Sequence, residues 1–142
     1  MRIVSVEKED LEQVKGLLRE VGLPSTGIEE HYTNFLKLTM GGRLIAVAGL
    51  EVHGKVGLLR SVAVAPDYQK SGLGQGLIRA VINKARSMGI TDLYLLTEKA
   101  AGFFPRFGFR CIRRENLHPE IVQSYKLRAA CCESTTFMHL KL

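Results

Sequence analysis

The stretch 56–81 constrains the fold of this chain more than any other. It begins with Val56–Val64, a run of apolar and β-branched residues that is typical of a buried central strand. Pro66 should end this strand, because proline cannot donate to a sheet ladder. The apolar positions of 73–88 then recur at helical spacing, so the stretch predicts a strand, a tight loop and a helix.

Glycines occupy every second position of the predicted loop, at Gly72, Gly74 and Gly76. Glycine adopts positive φ without steric cost, so we expect all three to help turn the main-chain N–H groups toward one point. The positive end of the following helix dipole faces the same point, which favours an anion. The loop therefore predicts a pyrophosphate site.

Two common phosphate-binding motifs do not fit this loop. A Walker loop carries Gly-Lys-Ser/Thr after its last glycine, whereas Gly76 is followed by Leu77 and Ile78. A Rossmann fingerprint opens the first βα unit of a chain and is followed by an acidic residue after the second strand. A glycine-rich loop alone is a weak signal, because many strand-to-helix turns contain glycine for steric reasons.

The run 62–74 is more specific, and reads Val-Ala-Val-Ala-Pro-Asp-Tyr-Gln-Lys-Ser-Gly-Leu-Gly. It resembles the acetyl-CoA signature of the GNAT superfamily of N-acetyltransferases, in which a strand ending in Val-x-Pro leads into Gln/Arg-x-x-Gly-x-Gly/Ala. The resemblance implies acetyl-CoA as cosubstrate. It places the pantetheine arm along the strand and the pyrophosphate on the loop, which implicates Val62, Ala63, Val64, Gln69, Lys70, Ser71, Gly72, Leu73, Gly74 and Gln75.

The remaining pattern predicts a mixed α/β fold in one domain over 1–142. A length of 142 residues with 46% hydrophobic and 24% charged content is ordinary globular usage. Predicted strands are 3–6, 36–40, 43–53, 56–64, 93–96, 109–112 and 135–142, and predicted helices are 9–21, 28–35, 73–88, 100–107 and 119–126. GNAT domains have this order, and the resemblance implies a central mixed sheet of six to seven strands, flanked by helices and splayed at its central strands.

Acetyl transfer to an amine requires that an ammonium first lose its proton. Glu51 is the leading candidate base, because a carboxylate in an apolar strand next to the central one needs a reason to be there. An edge-of-strand charge with its head in water is the structural alternative. His53 shares the face of Glu51 and is the second candidate, while His31 lies in the expected acceptor loop with no stronger claim.

The chain departs from the family pattern at Phe104. GNAT enzymes often carry a tyrosine here, before the final Gly-Phe, whose hydroxyl can protonate the departing CoA thiolate. Phe104 cannot donate a proton, so the thiolate would be protonated by water or another group, or leave as the anion. Tyr68 and Tyr94 are possible replacements, although core packing better explains Tyr94.

Arg60 interrupts the apolar central strand and must be paired or face a ligand. It could clasp an acceptor carboxylate, or form a salt bridge with Glu51 on the neighbouring strand. The run 95–109 resembles N-acetylglutamate synthase acetyltransferase domains and arsenic-resistance GNAT proteins, and the resemblance to the second group extends to 49–51 and 58–61. This resemblance implies a small anionic amino acid such as glutamate as acceptor, with Ser61 and Thr97 beside Arg60.

Composition limits the other function classes. The net charge of +6 comes from dispersed cations, so no nucleic-acid partner is expected. Cys111, Cys131 and Cys132 support neither a disulfide framework nor a metal site. Without an apolar leader or membrane span, we expect a cytoplasmic monomer or homodimer. An acetyltransferase acting on a protein or peptide, and a non-catalytic CoA-binding module, remain alternatives.

Overall fold

The computed structural model describes residues 2–124 and 134–142. Their strands form one seven-stranded sheet, and short 3₁₀ turns join several of the elements. The strands are β1 (Ile3–Ser5), β2 (Leu36–Met40), β3 (Arg43–His53), β4 (Val56–Val64), β5 (Asp92–Thr97), β6 (Arg110–Ile112) and β7 (Thr136–Lys141). The α-helices are α1 (Leu11–Glu20), α2 (Ile28–His31), α3 (Leu73–Ser87) and α4 (Pro119–Val122).

The sheet is mixed, with the order β1-β2-β3-β4-β5-β7-β6. All neighbouring pairs are antiparallel except β4 and β5, which run parallel and are connected through α3. A parallel pair requires such a crossover, whereas Gly41-Gly42 and Gly54-Lys55 suffice to turn the antiparallel hairpins. The predicted mixed α/β sheet flanked by helices is confirmed.

Alternating side chains of β4 pack into two separate hydrophobic cores. Leu59 and Ala63 belong to the larger core, which also receives the apolar faces of α1 and α3. Val56 and Leu58 face the smaller core, where Ile121 of α4 packs. Because successive side chains of a strand point to opposite faces, a run that is apolar throughout predicts burial on both sides.

Several predicted elements differ from the observed ones. The predicted helix 28–35 is α-helical only over Ile28–His31 and is followed by a 3₁₀ turn over Tyr32–Asn34. The predicted helix 100–107 is only a 3₁₀ turn over Phe104–Phe107, as expected for a segment whose Pro105 lacks an N–H donor. The predicted helix 119–126 is observed over Pro119–Val122, and Tyr125 and Lys126 lie outside the described residues. Cys131 and Cys132 also lie outside them, whereas Cys111 is an exposed free thiol.

The sheet opens along its parallel joint. Residues 56–58 of β4 pair with residues 92–94 of β5, and no pairing between these strands is found beyond Leu58 and Tyr94. On its other side, β4 stays paired with β3 as far as Val64. Residues 59–64 of β4 therefore have one edge without a strand partner, as the predicted splay of the central strands requires.

A β-bulge lies in the splayed part of β4. Val47 pairs with Ala63 and Gly49 pairs with Arg60, so Ser61 and Val62 together face one residue of β3. Ser61 has a φ of 57°, in the left-handed region that is uncommon for residues other than glycine. Bulges of this kind re-aim neighbouring groups and are frequent beside active sites.

Candidate functional site

A cavity of about 770 Å³ fills the gap between the splayed strands. One wall is residues 59–64 of β4, and the opposite wall is residues 95–97 of β5 with Thr135. The loop that follows α1 closes one end, through residues 21–24. The predicted acceptor-side residues Arg60, Ser61 and Thr97 thus border the same space as Val62, Ala63 and Val64.

A second cavity of about 410 Å³ lies over the glycine loop. Residues 68–75 line it, and they include the whole predicted cradle from Gln69 to Gln75. Val64, Gln69 and Phe103 border both cavities. The two spaces therefore adjoin and form one elongated site, with the loop at one end and the splayed strands at the other.

The loop geometry corrects one expectation. Positive φ occurs at Lys70 (66°) and Gly72 (85°), whereas Gly74 and Gly76 lie inside α3 without a positive φ. Gly72 is the N-cap of α3, and the Gly76 N–H donates to its carbonyl at 3.2 Å. The N–H groups of the preceding helical residues thus lack a partner within the helix and remain available to an anion.

Two side chains of the loop are fixed on its own backbone. The Gln69 amide donates to the Val64 carbonyl at 3.0 Å, which ties the loop to the end of β4. The Ser71 hydroxyl donates to the Tyr68 carbonyl. Both residues therefore shape the loop through these contacts. The Gln69 N–H already donates to the Pro66 carbonyl at 3.4 Å, so of the two main-chain N–H groups that of Ser71 is the one left for a ligand.

Arg106 is a cation at this site that was not among the predicted site residues. It borders the loop cavity, and its guanidinium lies 4.5 Å from the centre of the Phe103 ring. In the sequence it belongs to a local cluster of cations with Arg110, Arg113 and Arg114, for which a solvated face was preferred over a field near an anionic cofactor. Only the turn Phe104–Phe107 brings it to the loop, and a cation and a helix N-terminus facing one cavity both favour an anion.

Behind the bulge, a buried ion pair joins β3 to β4. Arg60 Nη1 donates to Glu51 Oε2 at 2.7 Å, and Arg60 Nε donates to the Ser61 hydroxyl at 3.0 Å. The Arg60 and Glu51 side chains are only 1% and 2% exposed. Of the two alternatives for Arg60, the structure contains the salt bridge, and it ties Arg60 directly to the bulged residue.

Two histidines surround the same carboxylate. His53 Nε2 lies 3.0 Å and His31 Nε2 3.8 Å from Glu51 Oε1, and their rings are 5.8 Å apart. Burial raises the pKa of Glu51, but hydrogen bonds from Arg60 and His53 outweigh it and hold this pKa below its usual 4.5. Glu51 is therefore an ionised anchor, and a weaker base than a solvent-exposed carboxylate.

Glu51 and His53 do not border the large cavity within the described part of the chain, although Arg60 and Ser61 do. The cluster therefore lies behind the cavity wall. His31 joins it through α2, a long-range contact that no local sequence pattern could indicate.

The aromatic side chains occupy distinct environments. Phe104 borders the large cavity and packs edge-on against Phe103 and Phe109. Tyr94 is buried in the smaller core, 4.9 Å from the His139 ring, which confirms its packing role, and burial raises its pKa. The Tyr68 hydroxyl borders the loop cavity and donates to the Met40 sulfur at 3.0 Å.

Known proteins provide the context for this geometry. Residues 7–109 match the model of the acetyltransferase (GNAT) family. The chain belongs to the GNAT family of acetyltransferases. The match includes the bulged strand, the glycine loop and α3, the three elements that build the elongated site.

Individual relatives are similar over part of their length. An amino-acid acetyltransferase of Mannheimia succiniciproducens is 33% identical over 95 residues, which are 66% of this chain and 22% of that protein. The N-acetylglutamate synthase of Neisseria gonorrhoeae, solved with coenzyme A and N-acetyl-glutamate, superposes with a TM-score of 0.84 at 24% identity, over 99% of this chain and 35% of that one. The GNAT chain therefore spans about a fifth of that curated relative.

A structure of near-equal length is also similar. Rv2747 of Mycobacterium tuberculosis, solved in complex with CoA, superposes with a TM-score of 0.83 at 19% identity, over 100% of this GNAT chain and 99% of that one. At these identities the likeness establishes the fold. Within residues 2–124 and 134–142, no helix of the GNAT chain combines the length and apolarity needed to cross a bilayer.

Proposed function

We propose that this protein uses acetyl-CoA to acetylate the α-amine of a small carboxylated amino acid such as glutamate. The observation that carries the proposal is the junction of the loop cavity and the splayed-strand cavity at Val64, Gln69 and Phe103. An anion site that leads into a cleft beside a free strand edge suits a pyrophosphate joined to an extended amide-bearing arm.

CoA binding would use main-chain groups for most of its contacts. The N–H groups of 70–75 would hold the pyrophosphate, with Gln69 shaping the loop and Arg106, which borders the same cavity, adding a positive charge. The pantetheine amides would pair with the free edge of β4 along Val62, Ala63 and Val64, as a peptide adds to a sheet edge. Backbone N–H donors near the bulge would stabilise the oxyanion that forms when the amine attacks the thioester.

The acceptor would occupy the large cavity, which Arg60, Ser61 and Thr97 border. The Arg60 side chain is 1% exposed, so it would reach the acceptor only through N–H groups beyond those that donate to Glu51 and Ser61, and a guanidinium has five. Arg60, Ser61 and Thr97 are the proposed contacts for the acceptor carboxylate. Relatives named amino-acid acetyltransferase, and a neighbour solved with N-acetyl-glutamate, support this acceptor class.

For proton removal we propose that Glu51 and His53 act as a pair. In the tautomer that carries its proton on Nε2, His53 would donate to Glu51 at 3.0 Å, and its Nδ1 would be the proton acceptor. Because the pair lies behind the cavity wall, the proton would travel through water. The thiolate would leave as the anion or be protonated by water, since Phe104 has no donor.

The test is a CoA-release assay across amine acceptors. Glutamate, glutamine, glutamate diamide and a lysine peptide would each be incubated with acetyl-CoA and the wild-type protein. We expect glutamate to be turned over with the highest kcat/KM, because its carboxylates meet Arg60. A thiol reagent would also label the exposed Cys111, so a reaction without acceptor sets the baseline.

Other outcomes separate the alternatives. Preferred turnover of the lysine peptide would identify a peptide acetyltransferase and contradict the amino-acid acceptor. Calorimetric CoA binding without turnover of any amine would instead identify a non-catalytic CoA-binding module.

The proposed pair has a separate test in pH–rate profiles. His53→Gln should lower kcat and alter the limb of the profile that rises with pH, with little change in the Kd for acetyl-CoA. Glu51→Gln, which also loses the ion pair with Arg60, should do the same under conditions in which unfolding measurements show that it remains folded. An unaltered profile in both variants would remove the pair from the mechanism.

A further inference from the structure

The hydroxyl of Thr135 is a buried polar group without a hydrogen-bond partner. Among the side chains of the described residues it is the one whose buried oxygen has none. Leaving a buried donor unpaired costs free energy, so native structures supply a partner, a water or a ligand. Thr135 also borders the large cavity, where a ligand could supply that partner.

Thr135 lies beside Thr97, one of the proposed contacts for the acceptor. Thr135 directly precedes β7, in which Thr136 pairs with Thr97 of β5. The Thr97 hydroxyl oxygen accepts the Ala100 N–H at 3.0 Å, so its own proton remains to be donated. Thr97 and Thr135, two residues with hydroxyl protons to donate, therefore border the same cavity as Arg60 and Ser61.

The charged residues of the same wall favour neither an anionic nor a cationic ligand. Glu98 and Lys99 border the cavity side by side and both are exposed, so their fields oppose each other and are screened by solvent. Recognition at this wall thus depends on the hydroxyls, which donate to a carboxylate or amide oxygen. An ammonium group, which has only donors, would gain least here.

We infer that Thr135 is an acceptor-binding residue that donates its hydroxyl proton to a carboxylate oxygen of the amino-acid substrate. The inference rests on the proposed function and extends it to a residue outside the family match, which ends at 109. An acceptor held between Arg60 and Thr135 would span the cavity in front of the bulge, where the thioester is expected.

The test compares Thr135→Val, Thr135→Ser and Thr136→Val. Valine keeps the shape of threonine without the hydroxyl, serine keeps the hydroxyl, and Thr136 lies next in the chain but is not among the described residues that border the cavity. Thr135→Val should raise the KM for glutamate about tenfold or more, in the range of one hydrogen bond to a charged group. The KM for acetyl-CoA should stay constant, and Thr135→Ser and Thr136→Val should resemble the wild type.

Stability provides an independent readout. Valine replaces an unpaired buried hydroxyl, so Thr135→Val should melt at or above the wild-type temperature. Higher KM combined with undiminished stability is a result that a purely structural role would not produce. An unchanged glutamate KM in Thr135→Val would overturn the inference.

Failure of the proposed function would look different. If the wild-type protein turned over no amine, glutamate binding to the CoA complex would be measured by calorimetry in the wild type and Thr135→Val. Weaker binding in the variant would support the role of Thr135 without catalysis. Equal binding, or none in either protein, would overturn it.

Discussion

Arg60 Nη1 lies 2.7 Å from Glu51 Oε2, and this ion pair is almost wholly removed from solvent. The pair connects β3 to β4 one residue before the bulge at Ser61. It therefore fixes the strand whose free edge borders the site. Gly27 packs against this ion pair, since a Cβ placed on Gly27 would be 3.6 Å from Arg60 Nη1.

Breaking this pair on one side should destabilise the protein strongly. Glu51→Gln and Arg60→Gln should each cost about 3–5 kcal/mol, because each leaves one buried charge uncompensated. The double variant should cost less than the sum of the two. Urea unfolding of all four proteins gives the double-mutant cycle, and strict additivity would contradict the coupling.

The lowered pKa of Glu51 predicts a specific acid response. A carboxyl whose folded pKa lies below its unfolded value stabilises the protein above about pH 4.5, and this stabilisation is lost as pH falls through the folded pKa. Wild type should therefore lose more unfolding free energy than Glu51→Gln between about pH 4.5 and 3. Other carboxyls with lowered pKa, such as Asp10 and Asp92, are present in both proteins and cancel. Parallel pH curves for the two proteins would refute the prediction.

Gly72 should be the most sensitive glycine of the loop. A Cβ would meet nothing within 4 Å there, so the cost of Gly72→Val comes from the φ of 85°, about 1–2 kcal/mol for a left-handed L-residue. Relaxation of the loop should raise the Kd for CoA about tenfold by calorimetry. Gly16→Ala in α1, also with nothing within 4 Å, is the control and should stabilise the helix by roughly 0.5–1 kcal/mol. A Kd that is the same in Gly72→Val and wild type would remove Gly72 from the anion site.

Gly49 in β3 is required by packing. A Cβ at this position would lie 2.4 Å from Phe35 Cζ, and Phe35 is fully buried. Gly49→Ala should therefore destabilise the protein by at least about 1–3 kcal/mol, the usual cost of overpacking. Adding Phe35→Leu should recover part of the loss in thermal unfolding. No recovery in the double variant would show that the ring is not the source of the strain.

Much of the fold follows from local patterns. The bounds of β2, β3 and β4 match the predicted segments, because glycine turns and Pro66 delimit continuous apolar runs. The expectation of positive φ was wrong at Gly74 and Gly76, since both lie inside α3, whose start at Leu73 agrees with the predicted helix 73–88. Residues of a right-handed helix have negative φ, so Gly72 at the N-cap is the one glycine of the three with a positive φ.

The candidate site was predicted less completely. The acetyl-CoA signature predicted the loop and the strand. The cost of burying a charge in an apolar strand singled out Arg60 and Glu51. Arg106 and Thr135 come from segments distant in the chain, and they belong to the site because they border its cavities. His31 was named from the sequence, but its contact with Glu51 could not be predicted. The bulge at Ser61 is also a property of two strands in register, which neither strand specifies alone.

The parallel joint between β4 and β5 consists of three register pairs in the middle of a seven-stranded sheet. The sheet is therefore weakest at the site, because the hydrogen bonds that would continue the β4–β5 ladder are absent there. Under the proposed function, a pantetheine arm lying along β4 would replace those hydrogen bonds with its own amides. The cosubstrate would then connect the two halves of the sheet while it is bound, and each turnover would remove and restore that connection.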